Sequence, residues 1–403
     1  MMQRNILIWG GIILLLALAG CQPGTDVLPA VRSGQDRKIV TFRPDATPSA
    51  QEQALAGAVR LKSLPAVNAA VVLVDSVNEQ ALASDPSVLR IENDPIATAQ
   101  VYRWPTRRPR TVSAETLPWG VRSIRADRVW DRDGDLTPDA NAGEGVKVAV
   151  VDTGIDLSHP DLAANIAGGY NAIDPAQSPQ DDNGHGTHVA GIIAAAANGA
   201  GVVGAAPRVS LYAVKVLGGD GSGYYSDIIE GIQWCIDHGM QIINLSLGGY
   251  ADVQVLHDVI TEAVRRGIVI TAAAGNDGPA QNSVEYPAKY PEAIAVAAYD
   301  VSRNLTDYSS RGPEIALLAP GDDILSTFPG NAYQTLSGTS MAVPHASAAA
   351  ALVIAAGVSG PDAVRARLRG TVGPRGMSRV TVPPNGVLLD AQRAVPRSLG
   401  YRN

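Results

Sequence analysis

From residue 114 onward the sequence predicts an α/β fold, a mostly parallel sheet covered by helices on both faces. Three observations carry this expectation. Strand-like runs alternate with stretches of helical period. The runs are apolar throughout, as strands buried on both faces must be. Small residues are abundant while Phe occurs only 2 times in 403 residues, which suits helices packed tightly on a sheet. Strands are expected at Val146–Val151, Ser210–Val216, Gln241–Leu245, Ile268–Ala273 and Ala293–Ala298. Helices are expected at His185–Ala197, Ser226–His238 and Val253–Arg266, with a further buried helix over the small-residue run Ala346–Ala356. In such folds chemistry gathers at the carboxyl ends of the strands.

The chain is long enough for this domain and a smaller one. Its 39 acidic against 32 basic side chains make it mildly acidic, and no broad basic excess points to nucleic acid. Cys21 and Cys235 are the only cysteines, in unlike contexts, so a disulfide framework is excluded. Cys235 lies in an apolar helical stretch and reads as a buried, inert thiol.

At the N-terminus Arg4 precedes an apolar run from Ile6 to Ala19. The run is shorter than the roughly 20 residues that span a bilayer, so residues 1–21 read as an export signal. Leu18-Ala19-Gly20-Cys21 resembles the bacterial lipobox, which implies lipidation of Cys21 and a hold on a membrane surface. Ordinary cleavage after Ala19 is the other option. Residues 22–37 read as a flexible tether.

Residues 38–99 read as a small α+β domain, near the lower size limit for folding alone. Strands are expected at Arg37–Phe42, Ala69–Val74 and Val88–Glu92, and helices at Ser49–Arg60 and Ser76–Ala83. Residues 100–113 form a basic, proline-bearing linker with Arg103, Arg107, Arg108 and Arg110, composed like an exposed, cleavable segment.

Four stretches of the large domain carry chemistry. Asp152 follows the strand at Val146–Val151, a place where a carboxylate can equally be structural. Asp182-Asn183-Gly184-His185-Gly186-Thr187-His188 opens a helix, its glycines allowing close approach to His185. Ala272-Ala273-Ala274-Gly275-Asn276 follows another strand. Gly338-Thr339-Ser340 precedes the small-residue run, and Pro344 fits that helix only near its first turn. Ser340 therefore stands at a helix N-terminus, as a cap or as a nucleophile favoured by the macrodipole. Acyl transfer needs a nucleophile, a base, an acid to orient the base and donors for the oxyanion. Ser340, His185, Asp152 and Asn276 can fill these roles.

In that order the four stretches resemble the secreted subtilisin-like serine proteases (subtilases, peptidase family S8) over roughly residues 114 to 395. The resemblance implies a subtilisin-like catalytic domain over 114–403, with Ser340 as nucleophile, His185 as general base, Asp152 as its partner and Asn276 as oxyanion donor. Asp85-Pro86-Ser87-Val88 with Ile91-Glu92-Asn93-Asp94 resembles the family's inhibitory propeptide, which is ferredoxin-like. A self-processed precursor acting on polypeptides is implied, with the mature chain starting near Ala114 and no further C-terminal domain.

Gly221, Ser222 and Gly223 on one side, and Ser246, Leu247 and Gly248 on the other, match the family's cleft edges, where bare backbone pairs with an extended peptide. The position before Tyr286-Pro287, small in familiar subtilisins, is Glu285. It suggests a preference for Lys or Arg at P1, unless the carboxylate points to solvent. The loop at Ala196–Val202 has the form of the family's calcium site, which implies ligands from Glu115, Asp161, Asn198 and the carbonyls of Ala196, Ala200 and Val202. At the family's second cation site Ala316 replaces aspartate, so none is expected there. The acidic insert Asp131–Asp135 lacks the terminal glutamate of a full calcium loop and reads as solvated. The expectation is an exported serine endopeptidase, lipid-anchored at the cell envelope or released after processing. A catalytically silent lipoprotein that binds peptides in its cleft is the alternative.

Overall fold

The computed structural model describes residues 35–102, 108–370 and 386–396. The signal segment with Cys21, the tether up to residue 34, and Arg103 and Arg107 lie outside the described residues.

The first unit is formed by β1 (Gln35–Phe42), α1 (Pro48–Ala54), β2 (Val59–Leu64), β3 (Ala69–Asp75), α2 (Ser76–Ala83) and β4 (Val88–Asn93). Its antiparallel sheet runs β2-β3-β1-β4. The helix expected over Ser49–Arg60 ends early. A single 3-10 turn at Leu55–Gly57 follows α1, and β2 then starts at Val59. Gly57 marks the break, because a Cβ there would lie 2.4 Å from Asn78 Oδ1. Alternate side chains of β1 and β3 face two different cores. Val40, Phe42, Val72 and Val74 pack with Leu55 and Leu82 of the unit itself. Ile39 and Val71 join the core of the larger domain, which is why β3 is apolar along its whole length.

After β5 (Ile96–Ala99) the larger domain begins with α3 (Trp119–Ser123), α4 (Asp127–Trp130), β6 (Lys147–Asp152) and β7 (Ile166–Asn171). It continues with α5 (His185–Ala194), β8 (Ser210–Lys215), β9 (Ser222–Tyr224), α6 (Tyr225–Asp237), β10 (Ile242–Leu245), β11 (Leu247–Gly248) and α7 (Gln254–Arg265). Next come β12 (Val269–Ala273), β13 (Ile294–Tyr299), β14 (Ile315–Pro320), β15 (Ile324–Phe328) and β16 (Ala332–Leu336). The chain closes with α8 (Thr339–Ala355), α9 (Pro361–Arg369), β17 (Val387–Leu388) and α10 (Ala391–Ala394).

The main sheet has the order β17-β14-β13-β12-β10-β6-β8-β7, and every neighbouring pair is parallel. Along β6, Val148 and Val150 pack toward α5 and α8, whereas Ala149 and Val151 pack toward α6 and α7. Burial on both faces explains the unbroken apolar runs. The sequence reading missed β7 because Gly168 and Gly169 resemble a turn; a Cβ on Gly169 would sit 2.3 Å from the Ala213 carbonyl. Near the end of the chain lie a two-residue edge strand, β17, and the four-residue α10, which Asp390 caps by accepting from the Arg393 N–H.

Two carboxylates of the small unit cap helices of the large one. Asp94 accepts from the N–H and hydroxyl of Ser226, in the first turn of α6, and pairs with Arg37. Glu92 accepts from the N–H groups of Gln254 and Val255 at the start of α7. Lys62 binds Asp227 and Glu230 beside them. Free N–H groups and the macrodipole make a helix start favourable for a carboxylate. Asp94→Ala, made in a Ser340→Ala background so that the chain stays whole, is expected to lower stability by roughly 3 kcal/mol, since Arg37 and the α6 cap lose a buried partner. Denaturant titration of the two chains measures it, and a loss under about 0.5 kcal/mol would mean that the cap does not hold the units together.

Candidate active site

Asp152 ends β6, Ser246 follows β10, and Asn276 lies three residues beyond β12. These strands are adjacent in the parallel sheet, so their carboxyl ends open on one edge. His185 starts α5 and Ser340 lies in the first turn of α8, and these helices pack on the same face of the sheet.

Asp152, His185 and Ser340 are each fully buried. Asp152 Oδ1 lies 2.6 Å from His185 Nδ1 and also accepts from the Thr153 N–H at 2.7 Å. With Nδ1–H donating to the carboxylate, Nε2 carries the lone pair. That atom is buried without a partner. The Ser340 hydroxyl donates instead to the Ser246 carbonyl at 2.7 Å, so the serine–histidine hydrogen bond is not made in this arrangement. Gly186 lets α5 approach β6, because a Cβ there would meet the Gly154 carbonyl at 2.1 Å.

Pro344 sits inside α8, deeper than the first turn that its missing N–H suggested. The Ser340 carbonyl, its ordinary partner four residues back, accepts from the Ser246 hydroxyl at 2.9 Å. Ser246 thus fixes Ser340 at two points, a role that sequence reasoning did not find. It also did not find Asp181. This buried carboxylate accepts from the N–H groups of Asn183, Gly184 and Thr187 and from the hydroxyls of Thr153 and Thr187, tying the start of α5 to the end of β6. Lys215 binds the Thr153 carbonyl at 2.7 Å from behind. An aspartate a few residues before a helix glycine was the available signal.

The chain itself occupies the cleft. β5 is the middle strand of a three-stranded antiparallel sheet between β9 and β11. Ala97 and Thr98 pair with Gly223 and Ser222, and Thr98 and Ala99 with Gly248 and Leu247. Ala99 N–H donates to the Gly221 carbonyl at 2.9 Å and Gln100 N–H to the Ser246 carbonyl at 3.2 Å. The Gln100 carbonyl accepts from the Ser340 N–H at 3.2 Å, and Tyr102 N–H donates to the Ser337 carbonyl at 2.9 Å. Asn276 Oδ1 accepts from the Thr339 N–H and hydroxyl, which turns Nδ2 into the cleft, 3.4 Å from Gln100 Oε1. No arginine of the 100–113 linker takes this place; Gln100 does.

An extended backbone, a carbonyl held at a helix N-terminus beside a hydroxyl, and a histidine–carboxylate pair form a constellation for acyl transfer. The Subtilase family model matches residues 143–392. The chain belongs to the subtilase family. It is a serine endopeptidase of the subtilisin type, 44% identical over 314 residues to subtilisin E of Bacillus subtilis, covering 77% of each chain. It is 46% identical over 243 residues to subtilisin DY of Bacillus licheniformis, which is 60% of this chain and 85% of that one. Against an alkaline protease of Shouchella clausii the identity is 45% over 273 residues, 68% of this chain and 65% of the relative.

Glu285 turns into the cleft and not to solvent, and its Oε2 accepts from Gln100 Nε2 at 2.8 Å. At the other end of the domain, Asp161 Oδ1 accepts from Asn198 Nδ2, and its Oδ2 from the N–H of Val202 and the hydroxyl of Tyr333. Glu115 Oε1 accepts from the Asn198 N–H at 2.9 Å. Partial burial and the nearby Asp161 charge push the Glu115 carboxyl up. Among the described residues neither carboxylate is in an ion pair. The two carboxylates lie near enough to interact as like charges with the Asn198 amide groups between them, a place where a bound cation would relieve the repulsion. In the acidic insert Asp131, Asp133 and Asp135 converge, but Asp131 is engaged by the N–H groups of Gly134 and Leu136. Cys235 is buried and unpaired, and burial pushes its thiol up.

Asp181→Ala is expected to lower kcat at least tenfold, roughly the cost of one helix cap, with KM changed less than threefold. The strands that pair with β5 do not involve it. Steady-state kinetics on one peptide checks this, and a loss confined to KM would assign Asp181 to substrate binding.

Proposed function

We propose that the chain is the precursor of an exported serine endopeptidase that cuts itself between Gln100 and Val101. The observation that carries this is the Gln100 carbonyl on the Ser340 N–H, with β5 paired on both sides like an extended substrate. In this reading residues 38–99 are the inhibitory propeptide, held by the Glu92 and Asp94 caps, and Gly221–Gly223 and Ser246–Gly248 are the cleft edges. Cleavage then falls at the very start of the basic linker, ahead of its arginines, not near Ala114.

Ser340 Oγ leaves the Ser246 carbonyl by rotation of its side chain and attacks the Gln100 carbonyl carbon as His185 Nε2 takes its proton. The new C–O bond pushes charge onto the carbonyl oxygen, which the Ser340 N–H and Asn276 Nδ2 receive. Asp152 holds the imidazole tautomer and stabilises the imidazolium. Collapse breaks the Gln100–Val101 bond, and the proton on Nε2 goes to the departing nitrogen of Val101. Water, deprotonated at Nε2, then attacks the ester and restores Ser340. Polypeptides in extended form are cut in the same way.

The sequence of residues 1–21 supports export, with Cys21 as the lipidated residue. A cut at Gln100 frees the catalytic domain from that anchor, so anchoring and activation oppose each other. Calcium held by Glu115, Asp161, Asn198 and the carbonyls of Ala196, Ala200 and Val202 would neutralise two close carboxylates and stiffen the loop.

A fluorophosphonate is expected to label wild-type protein on Ser340 alone and to leave Ser340→Ala unlabelled and at full precursor mass. An unlabelled wild type would favour the silent peptide-binding lipoprotein. Removing calcium with a chelator is expected to cost about 2.7 kcal/mol relative to protein in a hundredfold excess over Kd. Unfolding of Ser340→Ala with and without chelator measures this, and equal transitions would remove calcium from the account.

A further inference from the structure

The side chain of Gln100 ends against an unusual floor. Glu285 is only 4% exposed, and glycines close around its carboxyl. A Cβ on Gly248 would lie 2.7 Å from Oε2, and one on Gly275 2.6 Å from Oε1. A second carboxyl, Asp277, lies against Glu285, and its Oδ2 is buried without a hydrogen-bond partner. Two carboxylates in such contact repel unless a proton lies between them. The pairing of the amides fixes the rest. Thr339 takes Asn276 Oδ1, Asn276 Nδ2 faces Gln100 Oε1, and Gln100 Nε2 is left to donate to Glu285 Oε2.

We propose that Glu285 and Asp277 share one proton at the floor of the S1 pocket, so that the pocket selects a glutamine at P1 while the proton is held and turns toward arginine when it is lost. This deepens the endopeptidase reading and rests on it. A protonated Glu285 keeps Oε2 as a neutral acceptor for an amide NH2. Once ionised, the same carboxylate offers a fork to a guanidinium, a charge-assisted pair in a site screened from water.

The surroundings agree. The ionisable groups facing the pair are Tyr225 from α6 and Tyr250 from the loop after β11, which lies beside Asp277. Both are neutral near pH 7. Lys289, one turn beyond Glu285, directs its ammonium over the Tyr286 ring. With no cation against it, burial first and the Asp277 charge second push Glu285 up to about 8. The basic P1 preference expected from Glu285 alone therefore belongs to the alkaline form.

The test uses processed wild-type enzyme and two chromogenic peptides, Ile-Ala-Thr-Ala-Gln and Ile-Ala-Thr-Ala-Arg, the first copying residues 96–100. The ratio of their kcat/KM values is followed from about pH 6.5 to 9.5, a window that brackets the Glu285 value of about 8 on both sides. Titration of the catalytic histidine cancels in the ratio, and arginine stays charged throughout. The Gln:Arg ratio is expected to fall roughly tenfold across the window. Glu285→Gln should make it flat, and Asp277→Asn should move the fall to lower pH, because the repelling charge is gone. Fluorophosphonate titration of active sites corrects each variant for misfolded protein. A flat ratio in the wild type, or a Glu285→Gln enzyme with the wild-type slope, overturns the proposal. Failure of the endopeptidase reading looks different: no label on Ser340 and no turnover of either peptide.

Discussion

Everything at the cleft hangs from the parallel register of three neighbouring strands. β6, β10 and β12 end together, which sets Asp152, Ser246 and Asn276 along one edge of the sheet. α5 and α8 pack together on one face of the sheet, with their first turns at that same edge. A histidine and a serine at those N-termini then meet the carboxylate without any long loop to hold them. The precision comes from the core, where the strands of this edge have almost no exposed side chain.

Within that frame, proline and serine solve one problem together. Pro344 withholds an N–H from the Ser340 carbonyl, and the Ser246 hydroxyl supplies the missing donor. The Ser246 carbonyl also takes the Ser340 hydroxyl and the Gln100 N–H. One residue therefore ties the serine's backbone, its side chain and the bound peptide to the end of β10. While the hydroxyl is so engaged, His185 Nε2 lacks a partner. A buried imidazole lone pair without a donor is costly, so the resting arrangement favours transfer of the hydroxyl to it.

Much of this was legible in the sequence. Asp152, His185, Asn276 and Ser340 each sit where an apolar run meets glycine, and long buried strands announce themselves by composition. What was not legible depends on tertiary pairing. Ser246 acts on Ser340 and Gln100, and Asp181, besides capping the helix just after it, takes the hydroxyl of Thr153; nothing in their own neighbourhood names these distant partners. β5 is four residues long, Ile-Ala-Thr-Ala, too short and too mixed to read as a strand; it becomes one only between β9 and β11. The linker arginines drew attention by charge, whereas the residue held at Ser340 is the uncharged Gln100 just before them. Glu285 was visible as a departure from the family, but its contact with Asp277 was not, because that contact depends on how the Asn276–Glu285 loop folds back.

The central claim is that the chain is presented to its own serine with Gln100 at P1. N-terminal sequencing of purified wild-type protein, beside Ser340→Ala, tests it most directly. The expected result is a wild-type chain beginning at Val101, or trimmed from there, with the released small unit ending in Gln100, and an uncut Ser340→Ala chain. A small unit ending at an arginine of the linker, with Gln100–Val101 intact in every fragment, would contradict it.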